Sequence, residues 1–102
     1  MLMRFKVSGV TFEDRQDVIR ELYKKGPIHK ATLVREPNNP HDPNAVMVQV
    51  NGKHIGYVPK EASEDIGEII PYIIRTNVEL GRCPEPNSYF AQCTIVVPGG
   101  EA

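Results

Sequence analysis

His41 and Asp42, with Asn38 and Asn39 just before them, bring imidazole, carboxylate and amide groups into one short loop. Pro37, Pro40 and Pro43 stand among them, three of the nine prolines in the chain. Proline fixes φ and removes a backbone donor, while Asn and Asp bond their own backbone and tolerate tight turns. Such a loop is stiff, so its side chains point in fixed directions. Its chemistry has two readings. Either the polar groups recognise a ligand whose ordering cost is already met, or they cap one another in a rigid turn.

The segments on either side must hold that loop. Met3, Phe5 and Val7 alternate with Arg4, Lys6 and Ser8, the period of a half-buried strand. Residues 11–25 read as a helix with Thr11 as its cap. Acidic residues lie early, Lys24 and Lys25 late, and Val18, Ile19, Leu22 and Tyr23 share one face. Gly26-Pro27 stops it. Residues 28–34 form a strand that enters the loop, and Val46, Val48 and Val50 mark the strand that leaves it. Asn51-Gly52 is a hairpin turn that returns through residues 53–58. Gly56 on the return implies a bulge or a close backbone approach. Pro59 opens a second helix with Ala62, Ile66, Ile69, Ile70 and Ile73 on its apolar face, ended or kinked by Pro71. Two strands follow, at about 74–81 and 89–97, joined by the proline-rich loop 82–88. Residues 1–97 read as a single domain and 98–102 as a flexible tail.

The string R-E-P-N-N-P-H-D-P-N-A-V-M-V at 35–48, followed by G-K-H-I-G-Y-V-P-K at 52–60, resembles the HIRAN domain. Val7-Ser8-Gly9-Val10-Thr11-Phe12 and Arg15-Gln16 extend the resemblance, which covers roughly the first two-thirds of the chain. It implies an OB-like fold, mainly β with two helices: a strongly bent antiparallel barrel of five to six strands. It also implies a non-enzymatic module that binds single-stranded DNA at a free 3′-hydroxyl end. In this reading Phe12 stacks on a base. His41, where the family commonly has an aromatic, packs against the terminal nucleotide, and Asp42 accepts a hydrogen bond from the 3′-hydroxyl. Lys60 contacts a phosphate, Tyr57 lies on the same rim, and Asn38 and Asn39 meet base edges or phosphates, or fix the loop. Each has a plainer alternative: Phe12 in the core, Asp42 as a turn cap, Lys60 as a solvated charge. Arg15 reads as structural or peripheral, Arg35 as a partner of Glu36 or Asp42, and Tyr89 or Phe90 as a further aromatic wall.

Composition narrows the classes. With 102 residues, 40% of them hydrophobic and 25% charged, the chain suits one soluble domain with a modest core. A net charge of −1 provides no broad basic field, so contact with nucleic acid must rest on a few placed cations. Met1-Leu2-Met3-Arg4 lacks the apolar run of a secretory leader, which sets the cytoplasm, or the nucleoid, as the expected place. Cys83 and Cys93 complete no zinc spacing and are out of register on one hairpin, so they read as small hydrophobes in a reducing compartment. No nucleophile is spaced to His41, and no phosphate or dinucleotide loop appears, so neither an enzyme, a metal nor a cofactor is expected. A DNA-processing protein is a possible second partner. The rival function is a protein- or peptide-binding module that uses the same groove or a strand edge.

Overall fold

The computed structural model describes residues 1–84 and 88–99. Its elements run β1 (Leu2–Lys6), α1 (Arg15–Lys25), β2 (Ile28–Lys30), β3 (Thr32–Arg35), β4 (Val46–Val50), β5 (Lys53–Tyr57), α2 (Lys60–Ile69), a 3-10 turn (Ile70–Tyr72), β6 (Arg75–Cys83) and β7 (Ser88–Val96). All pairing is antiparallel. The strands form two sheets, one in the order β1-β7-β6-β2 and one in the order β3-β4-β5.

The fold is mainly β with two helices, as the sequence implies. The barrel is not closed: two bent sheets face each other and meet at a seam. There Ser8 N–H donates to Tyr57 O at 2.8 Å and Tyr57 N–H to Ser8 O at 2.9 Å. Val7, Ile19, Val48, Ile55, Ile66 and Ile95 are among the buried residues between the layers, so both helices and both sheets share one core.

Three boundaries differ from the sequence reading. The segment 28–34 is not one strand, because the chain passes from one sheet to the other at Ala31, whose N–H donates to Thr76 O at 2.9 Å. That crossing makes seven strands of the expected five or six. The first helix starts at Arg15, not Thr11. Phe12 N–H and Arg15 N–H donate back to Gly9 O and Phe12 O, and Glu13 has φ 56°, so 9–14 is a pair of turns. The last hairpin is longer than expected, taking in Arg82, Cys83 and Ser88; the rest of that loop, 85–87, lies outside the described residues. So does most of the expected tail, since the description ends at Gly99.

Other expectations hold. Asn51 and Gly52 both have positive φ, as the turn requires. The second helix ends before Pro71. Cys83 lies opposite Ser88 and Cys93 opposite Val78, so the thiols are far out of register and free. Burial pushes the Cys93 thiol up to about 12, which leaves it an inert apolar group.

Gly56 shows why the seam needs glycine. Ile55 is the extra residue of a bulge, since Val48 faces Gly56 while Gln49 faces His54. Gly56 has φ 156°, and a Cβ there would stand 2.5 Å from Val7 Cγ1 and 2.6 Å from Ser8 O. Gly56→Val is therefore expected to lower stability by at least ~1 kcal/mol more than Gly99→Val, which lies on no strand. Paired denaturant melts measure the difference, and equal midpoints would remove the seam from the account.

Candidate nucleic-acid interface

A groove of about 720 Å³ opens where the two sheets meet, lined from three stretches of chain. Ser8 and Gly9 form its floor beside Phe12 and Arg15. Asn39, His41 and Asp42 come from the loop, Tyr57 and Val58 from the end of β5, and Lys60 from the start of α2. Of the seven candidate residues, Phe12, Asn39, His41, Asp42, Tyr57 and Lys60 line this groove. Asn38 lines a neighbouring hollow of about 430 Å³ with Glu36, Pro37, Pro40 and Tyr57.

The loop is braced from within. Asn39 Oδ1 accepts from His41 N–H at 2.8 Å and Asp42 N–H at 3.1 Å, and its amide donates to Glu36 Oε1 at 2.9 Å. Asn39 is thus the structural member of the Asn pair. Tyr57 Oη donates to the same Glu36 oxygen at 2.8 Å, which ties the loop to β5. The Asn39 bond, aided by Tyr57 and the nearby His54 and Arg15 charges, holds the Glu36 carboxyl below its usual range against the opposing effect of burial. Asp42 Oδ1 accepts from Asn44 N–H at 2.9 Å, so one oxygen caps the turn. Its Oδ2 accepts no hydrogen bond from another described residue.

Phe12 is not in the core. It is 66% exposed, one face turned toward the groove. Lys60 is exposed at the first turn of α2, where backbone amides are unmatched within the helix. Tyr89 and Phe90 line no part of the groove: Tyr89 packs on Tyr23 at 5.6 Å, and the Phe90 ring covers Gly81 across the hairpin. Arg35 reaches neither Glu36 nor Asp42 but lies along α2 at Gly67.

Arg15 is the groove residue that sequence reasoning set aside. It is 7% exposed, and its Nη1 donates to Gly9 O at 2.7 Å. Its guanidinium lies 5.3 Å from the Tyr57 ring centre and 6.0 Å from that of Phe12, so one planar cation spaces two aromatic walls. Gln16 completes the clasp: Nε2 donates to Val10 O at 3.0 Å and Tyr89 O at 2.9 Å, and Oε1 accepts from Tyr89 N–H at 2.8 Å. The adjacent R-Q pair was the available signal, since two fork-shaped side chains at a helix start suit the capture of backbone.

The fold and the groove define a small module of two antiparallel sheets and two helices with an open groove at its seam. The chain belongs to the HIRAN domain family, which matches residues 3–97. It is 38% identical over 60 residues to the helicase-like transcription factor of Oryctolagus cuniculus, a match over 55% of this chain and 6% of that protein. The chain thus spans a small part of that relative's length. The crystal structure of the HIRAN domain of human HLTF superposes with a TM-score of 0.60 at 20% identity, covering 92% of this chain and 74% of that one.

Two predictions follow from the site's geometry. Arg15→Met should cost ~1.5–3 kcal/mol, the range for hydrogen bonds made by a charged group, while Arg20→Met on the exposed side of α1 should stay within ~0.5. Thermal melts of the two variants decide it. The second concerns His54, which stands edge-on to Tyr57 at 4.8 Å with both ring nitrogens sealed from solvent. Burial, then the Arg15 charge, holds its pKa below the ordinary 6.5, although the Val48 backbone and the Glu36 charge oppose the shift. The native state therefore resists a proton that the unfolded chain accepts. Stability is full above about pH 6.5 and falls as pH drops below it, with a further loss below 4.5 as Glu36 is protonated. His54→Phe should flatten the upper part of a melting-temperature profile against pH and leave the lower part.

Proposed function

We propose that this chain is a non-enzymatic module that binds single-stranded DNA and seats a free 3′-hydroxyl end in the seam groove. One observation carries the reading: side chains from three separated segments converge on a groove that offers a flat aromatic face, a free carboxylate oxygen and an ammonium. Phe12 presents its face for a base to stack on, which is worth ~1–3 kcal/mol per base. Lys60 and the first amides of α2 suit a phosphate. Asp42 supports the end preference, since Oδ2 accepts from a hydroxyl and repels a phosphate in the same place. The braced loop holds that oxygen in one direction before any strand arrives. A second reading, capture of a peptide by strand addition, draws on the position of β1 at the edge of its sheet.

The test compares strands that end in 3′-hydroxyl and in 3′-phosphate. The hydroxyl form should bind about tenfold more tightly, the scale of one hydrogen bond to a charged group. Asp42→Asn keeps an acceptor for Asn44 N–H and removes the charge, so it should reduce the preference to about twofold without lowering the melting temperature. Phe12→Ala should weaken both strands alike. Equal binding of the two ends by the wild type rejects the end-reading role, and no binding to any strand at low salt leaves peptide capture as the better account.

A further inference from the structure

The outer face of the four-stranded sheet carries Arg4, Lys6, Lys30 and Arg75, all exposed, with Glu79 as the acid among them. The register places Arg4, Thr94, Asn77 and Lys30 in one row across all four strands, with Arg75 one row away beside Val96. None of these four cations makes an ion pair with another described residue. Much of the opposite charge lies on α2, where Glu61, Glu64, Asp65 and Glu68 stand against Lys60 alone. A chain of net charge −1 therefore keeps one basic sheet face.

Strand β1 carries that face into the groove. Leu2, Arg4, Lys6 and Ser8 are exposed on one side of the extended chain, Val7 between them is buried, and Ser8 lines the groove. At about 3.4 Å per residue, Lys6 stands ~7 Å and Arg4 ~14 Å from Ser8. Those steps are close to the spacing of successive phosphates in an extended strand.

We infer that groove and sheet face form one continuous site, in which Lys6 and Arg4 take the phosphates that precede a 3′ end seated in the groove. Arg75 and Lys30 continue the path across the sheet. The inference rests on the single-strand reading of the groove and adds to it a minimum length and a direction for the ligand. A strand already seated in the groove reaches this face along β1, which favours it over a separate acidic peptide.

Titrations of a dinucleotide and a dodecanucleotide, both ending in 3′-hydroxyl, test it on the wild type, on the double variant R4E/K6E and on K25E at the far end of α1. The wild type should bind the longer strand at least about tenfold more tightly, through phosphates beyond the groove. The double variant should bind the dinucleotide within about twofold of wild type, lose the gain with length, and show a salt slope lower by about 1.4, two contacts at about 0.7 each. K25E should match wild type. A length gain that survives in R4E/K6E overturns the inference, as does a wild type that binds both lengths equally, which leaves the groove reading standing. A wild type that binds neither strand at low salt overturns both. Tighter binding of a polyglutamate peptide than of the dodecanucleotide assigns the face to an acidic protein instead.

Discussion

The two backbone hydrogen bonds between Ser8 and Tyr57 are the constraint on which the rest of this structure depends. They are where the two sheets exchange ladder bonds, and they force the main chain of one against Gly56 of the other. An open barrel leaves a cleft at such a seam because the strands diverge on either side of the bridge. The cleft is then walled by whatever the chain places next: the turn after Ser8, the end of β5 and the loop before β4. The site therefore follows from the way the sheets join, and a change at Gly56, which does not line the groove, alters it through Ser8 and Tyr57, which do.

Around that seam, polar side chains carry rigidity that the small core does not supply. Glu36 Oε1 accepts from both Asn39 and Tyr57, which ties the proline loop to β5. Arg15 and Gln16 hold the carbonyls of Gly9 and Val10, which ties the first turn to α1. Buried charged donors with satisfied acceptors fix geometry more sharply than apolar contacts, since each missed bond leaves a desolvated group. Asn39 and Glu36 thus free the remaining polar atoms of the loop, Asp42 Oδ2 among them, from the task of holding it together.

What the sequence made legible follows local rules, and what it hid follows tertiary ones. The hairpin at Asn51-Gly52, the helix stop at Pro71 and the close approach at Gly56 depend on residues whose backbone preferences are strong on their own. The exposure of Phe12 was open in the sequence, because a lone aromatic beside a strand reads equally as core. The break at Ala31 could not be seen, because an unbroken run of strand formers says nothing about which sheet each half joins. The structural reading of Arg15 left its particular place open for a related reason. Its value lies in the two rings it separates, Phe12 and Tyr57, which are far apart in sequence and meet only once the seam has formed.

The energetics of the proposed site fit weak, end-selective binding. One stacked base, one hydroxyl bond and one or two phosphates offer a few kcal/mol each, and association itself consumes much of that. The surplus is small, so the expected affinity is weak. Within so small a total, an end-specific contact takes a large share, so a strand that lacks the proper end loses most of its binding. A broad basic field would raise the affinity for every strand and erase that difference. The low net charge of the chain, which leaves no broad basic field, is on this argument what makes discrimination at a single atom effective.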